Sequence, residues 1–268
     1  MIMERLNPEI DLDKFFQALA NAEKRILLLD YDGTLAPFRV KRDEAVAYPG
    51  ITELLDEIIG DGNTRVVIIS GRAIKDLIPL LKLCKLPEIW GAHGWERLLD
   101  DDTYIAHKLD ENMVKGLTEA EDWAVKQGLR DRIELKHGCL ALHWRGLDEA
   151  VQNDIQAGAL KHWQPLTKRF GLELKEFDGG IELRAPGKDK GEAVKKIISE
   201  TGEAVVSYLG DDLTDEDAFI ELGNKGLKVL VNTRKRPTAA DLWLVPPEEL
   251  IDFLRRWKTV TGCVHEKT

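Results

Sequence analysis

The chain has 268 residues, 43% hydrophobic and 32% charged, and its 38 Lys and Arg against 48 Asp and Glu give a formal net charge of -10. That apolar fraction supports one large buried core or two modest ones and excludes a disordered chain. The acidic balance argues against nucleic acid or an anionic membrane as the main partner, and any anionic substrate would need a local metal or lysine to offset the field.

Cys84, Cys139 and Cys263 are widely spaced, odd in number and in no metal-ligand pattern, so they are expected to be reduced bystanders. The first residues, Met1-Ile-Met-Glu-Arg-Leu-Asn-Pro, lack the basic and apolar blocks of a signal peptide. No stretch reaches the ~18 apolar residues of a membrane span, and the cytoplasm is the expected compartment.

In chain order, residues 11–24 have helical apolar spacing and predict a short lead-in helix. Arg25-Ile-Leu-Leu-Leu-Asp30 then reads as a strand buried on both faces. A loop through Pro37 and Pro49 precedes a helix near 50–60, a strand to Ser70, a helix near 73–82 and a short strand ending at Trp90-Gly-Ala-His93-Gly94. This rhythm predicts a doubly wound, Rossmann-like parallel α/β core.

Between about 109 and 185 the rhythm changes. A helical stretch (109–128) precedes strand-like runs at 132–136 and 139–144 joined at His137-Gly138. A long helix near 148–170 then leads to a second hairpin, 172–177 and 181–184, turned by Asp178-Gly179-Gly180. Helix, hairpin, helix, hairpin describes an α+β module with one sheet face covered and the other free. The expected organisation is a core of 1–108 and 186–268 with an inserted domain at 109–185. Beyond the two similar halves of the module there is no internal repeat and no low-complexity tract.

The chemistry gathers where apolar runs end. Arg25–Leu29 runs into Asp30-Tyr-Asp32-Gly33-Thr34, Thr64–Ile69 into Ser70-Gly71-Arg72, Ala204–Leu209 into Gly210-Asp211-Asp212-Leu-Thr-Asp215, and Leu227–Val231 into Asn232. Each end alone could be an ordinary turn, the first an Asx turn. All four together point to one parallel sheet with a ligand site beyond its carboxyl ends. If the chain stays extended through Asp32, residues two apart face the same way. Asp30 and Asp32 would then converge and need a cation or a proton between them. Lys190 opens a helix, where the dipole favours an anion, so a lysine there makes sense facing a phosphate. Lys188 is its rival, because spacing does not decide which one turns inward.

Together, Asp30–Thr34, Ser70-Gly71-Arg72, Asp189-Lys190-Gly191 and Gly210–Phe219 resemble the four ordered motifs of haloacid-dehalogenase-type phosphatases. The inserted module resembles the C2-type cap of that superfamily. Gly91-Ala-His93-Gly94, His143-Trp144-Arg145 and Glu182-Leu-Arg184 make the trehalose-6-phosphate phosphatase branch the most similar, over roughly residues 25–255.

The resemblance implies a Mg2+-dependent phosphatase with an aspartyl-phosphate intermediate. Asp30 is the implied nucleophile, and Asp32 is the general acid and then base, with its backbone carbonyl on the metal. Asp30, Asp32 and Asp211 are the implied metal ligands, with Asp212 and Asp215 behind or beside Asp211. Ser70, with Gly71 and Arg72 of its motif, and Lys190 are expected at the phosphoryl oxygens. Thr214 or Asp215 is also expected to cap the helix that follows.

Substrate choice is expected from the cap, whose strands carry Lys136, His143, Arg145, Glu182 and Arg184, and from His93, which reaches the sugar or caps a core strand. The competing view of the cap residues is the wet face of an antiparallel sheet. Alternative functions are a phosphatase for sucrose phosphate or mannosyl-phosphoglycerate, a non-enzymatic phospho-aspartate switch, and a degenerate regulatory copy. The intact four motifs disfavour the last.

Overall fold

The structure is a computed structural model that describes residues 3–39, 41–177 and 179–262. Cys263, Asp178 of the second hairpin turn and the first two residues lie outside the described residues. In chain order the elements are β1 (Glu4–Arg5), α1 (Leu12–Asn21), β2 (Arg25–Leu29), α2 (Ile51–Gly60), β3 (Arg65–Ile69), α3 (Ile74–Leu81), β4 (Glu88–Gly91), β5 (Glu96–Leu98) and β6 (Tyr104–Ala106). There follow α4 (Glu111–Lys126), β7 (Ile133–Lys136), β8 (Cys139–His143), α5 (Glu149–Phe170), β9 (Glu173–Phe177) and β10 (Gly180–Arg184). The chain then continues with α6 (Lys190–Thr201), β11 (Val205–Gly210), α7 (Asp215–Leu222), β12 (Gly226–Val231), β13 (Leu242–Leu244) and α8 (Glu248–Gly262). It divides into two compact units, Met1–Tyr104 with Asp189–Thr268, and Ile105–Lys188.

The first unit is built on a sheet ordered β1-β13-β12-β11-β2-β3-β4-β5-β6. Its centre, β12, β11, β2, β3 and β4, is parallel, and β5 and β1 add antiparallel edges. Side-chain parity sorts the strands into two apolar layers. Leu27 and Leu29 of β2 pack with α1, α2 and α8, whereas Ile26 and Leu28 pack with Val194 and Ile197 of α6 and Phe219 of α7. All four β2 leucines and isoleucines named here are fully buried, each contributing about 1.5–3 kcal/mol of hydrophobic stabilisation. The arrangement is the doubly wound α/β fold expected from the sequence, and β12, β11, β2 and β3 bring the four polar run ends to the same edge.

Helix α6 begins at a defined point because Asp189 is its N-cap, the side chain accepting from the Glu192 N–H at 2.8 Å. That cap fixes Lys190 as the first helical residue.

The second unit is an antiparallel sheet ordered β7-β8-β10-β9. Helices α4 and α5 pack against it. Its register aligns Glu134, Ala141, Glu182 and Lys175 in one row and Lys136, Cys139, Arg184 and Glu173 in the next. Leucines and isoleucines fill the intervening rows apart from Glu176 on the edge strand, so most of the charge lies on one face and most of the apolar surface on the other.

Candidate active site

The polar edge is built around Asp30. Its backbone N–H donates to Leu209 O at 2.9 Å, continuing the β2–β11 ladder by one residue. Asp30 keeps the parity of Ile26 and Leu28 and so lies on the α6–α7 side of the sheet. There Lys190, 3% exposed, donates Nζ to Asp30 Oδ1 and to Asp215 Oδ1, both at 2.7 Å. Tyr31 takes the other parity: its hydroxyl donates to Ala45 O at 2.8 Å inside the opposite apolar layer. Lys188 is half-buried, and Lys190 is the lysine that turns inward.

Asp211, at the end of β11, is the second buried carboxylate. Asp30, Asp211 and Asp215 each offer an oxygen within 4.8 Å of the others. Gly33 makes room for this approach: its φ is +89°, and a Cβ there would lie 2.1 Å from Asp211 Oδ2. Asp215 is saturated. Its Oδ1 accepts from Lys190 and from the Tyr208 hydroxyl at 2.6 Å, and its Oδ2 accepts from the backbone N–H groups of Asp211 and Asp212 at 3.0 Å each. Asp30 Oδ2 is instead buried with no hydrogen-bond partner.

Burial, outweighing the opposing pull of Lys190, pushes the Asp30 carboxyl up to about 7, and Asp215 adds to the rise. Burial also raises Asp211 well above the carboxylate range, with Asp30 next in effect. Burial alone would depress Lys190, but Asp215 and Asp30 outweigh it and hold the ammonium firmly protonated. An orphaned carboxylate oxygen beside a second buried carboxylate is the donor set of a hard cation.

Asp32 does not converge on the same spot as Asp30. The extended segment ends before it, and the residue forms only an isolated bridge to Ala36. Its carboxylate is gripped from two sides by Arg72, Nε to Oδ2 and Nη2 to Oδ1, both at 2.6 Å. Arg72 is 4% exposed. Ser70 is buried beside it, its Oγ accepting from the Arg72 N–H at 3.1 Å. His93 lies over this turn: its N–H donates to Ser70 O, and a Cβ on Gly71 would meet the imidazole at 2.6 Å. Gly71 therefore admits the His93 ring.

The helix-capping expectation is not met by a side-chain hydrogen bond. Thr214 has helical dihedrals and makes no side-chain cap hydrogen bond. Asp215 takes N–H groups of the preceding loop rather than those of its own helix, because its carboxylate faces Lys190.

On the charged face of the second unit, Lys136 Nζ donates to Glu182 Oε1 at 2.6 Å and lies 3.6 Å from Glu134 Oε2. His143 Nε2 is 3.3 Å from the same Glu134 oxygen. Lys136, Glu182 and Arg184 are buried, so this is not a wet sheet face, and Arg184 Nε has no hydrogen-bond partner. Arg145 packs on Gly179, where a Cβ would lie 3.0 Å from its own.

Residues 28–244 match the family model described as trehalose-phosphatase. The chain belongs to the trehalose-phosphatase family. It is 28% identical to the probable trehalose-phosphate phosphatase H of Arabidopsis thaliana, over 92% of this chain and 77% of that protein. It is 30% identical to a trehalose-phosphate phosphatase of Mycobacterium marinum, over 86% of this chain and 60% of that one. The fold is shared with the C-terminal domain of a Candida albicans trehalose-6-phosphate phosphatase at a TM-score of 0.79, with 22% identity over 97% of this chain and 99% of that one.

Four residues beside the polar groups of the two units carry no signal in the motif pattern. Tyr208 lies in an apolar strand and reads as core, yet its hydroxyl orients Asp215. Arg236 lies in an unstructured stretch; its Nε and Nη2 donate to the carbonyls of Asp211 and Asp212 at 3.1 and 2.7 Å, and it also pairs with Glu216. Tyr48 is raised by burial and then by the Asp211 charge, which places its phenol in the field of the acidic group. Glu134 links Lys136 to His143. The alternation of Glu134 with Lys136 could have pointed to Glu134, whereas the other three depend on chain packing. No helix among the described residues is long and apolar enough to cross a membrane.

Proposed function

We propose that this chain hydrolyses trehalose 6-phosphate to trehalose and phosphate, with Asp30 as nucleophile and Mg2+ as cofactor. The observation that carries the reading is the divided environment of Asp30. One oxygen is held by Lys190, and the other is buried without a partner beside Asp211. Asp30 Oδ2, Asp211 and the Asp32 backbone carbonyl would hold the cation, whose charge offsets the repulsion between an anionic nucleophile and a phosphate monoester.

The chain's own residues account for the remaining steps. Asp30 attacks phosphorus and forms an aspartyl-phosphate as the sugar oxygen leaves. Lys190, kept protonated by Asp30 and Asp215, carries the positive charge that stabilises the phosphoryl oxygens, and Ser70 adds a hydrogen bond. Asp32 gives a proton to the leaving sugar oxygen and takes one from the water that cleaves the intermediate. Its carboxylate is now clasped by Arg72, so proton transfer requires that pair to part, which frees the guanidinium for the phosphoryl group.

In the inserted unit, Lys136, His143, Arg145, Glu182 and Arg184 are assigned to the sugar hydroxyls. A disaccharide requires several fixed polar groups, and buried charges on a sheet face supply them. Phosphate release from trehalose 6-phosphate, sucrose phosphate, mannosyl-phosphoglycerate and an aryl phosphate, with and without Mg2+, tests the reading. Mg2+-dependent release that favours trehalose 6-phosphate is expected; preference for another sugar overturns the substrate, and no release from any overturns the activity.

A further inference from the structure

Away from the carboxyl ends of the core strands, a cavity of about 450 Å3 opens where β3 and β4 begin. Ile59, Leu86, Pro87 and Leu99 give it apolar walls, Arg65, Arg97 and Lys85 line it with positive charge, and Glu88 and Asp100 with negative charge. Its size falls in the range of small-molecule sites.

The two arginines belong to a partly buried ion network. Glu88 accepts Arg97 Nε at Oε1 (2.9 Å) and both Arg65 Nε and Nη2 at Oε2 (3.0 and 2.6 Å), while the Trp90 indole N–H also donates to Oε1 at 2.7 Å. Glu200 is held in a fork by Arg97, Nη1 to Oε1 at 2.9 Å and Nη2 to Oε2 at 2.6 Å. The Arg97 guanidinium also lies 4.6 Å from the Trp90 ring centroid.

The two carboxylates differ in how replaceable they are. The Glu88 side chain is 6% exposed, whereas that of Glu200 is 31% exposed. Arg65 comes no closer than 3.6 Å to Glu200 and completes its set with Thr201 Oγ1 at 2.5 Å. Its three hydrogen bonds use three of its five guanidinium N–H groups, and a fourth faces Glu200 Oε2 beyond hydrogen-bond distance. The network thus already binds a carboxylate in a planar fork, and the more exposed one, which Lys196 also pairs at 3.3 Å, is the one an incoming carboxylate would replace.

We propose that this cavity is a second ligand site, for a small amphiphilic carboxylate whose headgroup takes the place of Glu200 on Arg65 and Arg97 and whose apolar body fills the walls. Glu200 and Thr201 form the last turn of α6, whose first residue is Lys190. The arginines therefore anchor one end of the helix, and the active-site lysine sits at the other. A ligand that displaces Glu200 changes the anchorage of α6 and reports to Lys190. That coupling rests on the proposed role of Lys190 in hydrolysis; the binding itself does not.

The test uses the full chain and hexanoate as probe, followed by titration calorimetry and ligand-observed NMR. Saturable binding of one hexanoate per chain, undiminished by excess inorganic phosphate, is expected. Glu200→Gln removes the internal competitor and should tighten binding by at least about threefold. Arg65→Lys keeps a charge for Glu88 but loses the guanidinium N–H donors beside the Arg97 fork and should weaken binding by about tenfold. Leu86→Trp fills the cavity and should abolish it. No saturable binding, displacement by phosphate, or an affinity indifferent to either charge variant overturns the proposal. Hexanoate binding with unaltered hydrolysis kinetics would overturn the coupling and leave the site intact.

Discussion

Asp30 and Lys190 define opposite experiments because burial acts on them in opposite senses. Asp30 is a carboxylate held among carboxylates, so Asp30→Asn relieves repulsion while removing the nucleophile. Turnover should fall to background and the cation-free melting temperature should hold or rise; substantial Mg2+-dependent turnover in a well-folded variant would overturn the assignment. Lys190→Met leaves Asp30 and Asp215 facing each other without their cation, and breaking such a buried pair costs about 3–5 kcal/mol. Urea melts should show that loss, whereas Lys188→Ala should stay within about 0.5 kcal/mol. A damaging Lys188→Ala with a silent Lys190→Ala would mean that the other lysine serves the phosphate.

The loop between β11 and α7 is held from behind, by Asn232 Nδ2 on Asp211 O at 3.3 Å and by Arg236 on the carbonyls of Asp211 and Asp212. Arg236→Ala leaves every acidic residue in place and frees the loop that aims Asp211. Mg2+ activation should then need about 10–100-fold more metal while saturating turnover changes little. An unchanged Mg2+ requirement would show that Arg236 only packs the surface. In the inserted sheet, Glu182→Ala or Arg184→Ala should leave hydrolysis of a small aryl phosphate nearly intact. Hydrolysis of trehalose 6-phosphate should fall by about 1–3 kcal/mol in kcat/KM, the cost of buried polar groups left unpaired. Equal losses on both substrates would place these residues in the fold of the sheet or the general machinery.

For the whole molecule, two groups of opposite shift contribute opposite responses to pH. Glu200 is held down to about 2, first by its hydrogen bond to Arg97, from an ordinary 4.5. Its stabilising contribution is fully present above pH 4.5 and is lost as pH falls through the folded value of about 2. The stability gap between the natural chain and Glu200→Gln should therefore be constant near neutrality and begin to close below pH 4.5, which denaturant midpoints at pH 7 and pH 3 will show. Asp30 runs the other way: with its carboxyl near 7 against an ordinary 3.8, the cation-free fold becomes less stable as pH rises between those values. Mg2+ must expel that proton, so its affinity should climb as pH rises through 7. Calorimetry in two buffers of different ionisation enthalpy measures the proton released; a pH-independent affinity without release would remove Asp30 from the ligand set.

The sequence by itself determined the α/β core, the interrupting α+β module and the polar ends of four strands. Those properties are local: continuous apolar runs, helical spacing and turn chemistry are written within a dozen residues. Tertiary structure decided which lysine faces Asp30, that Asp32 belongs to Arg72, and that Asp215 is filled by four donors from α6, β11 and its own loop. It also decided that a strand tyrosine and a loop arginine, Tyr208 and Arg236, support the acidic group. Such partnerships join residues up to 160 positions apart, as Lys190 and Asp30 are, and follow from the order and parity of packed strands rather than from sequence spacing.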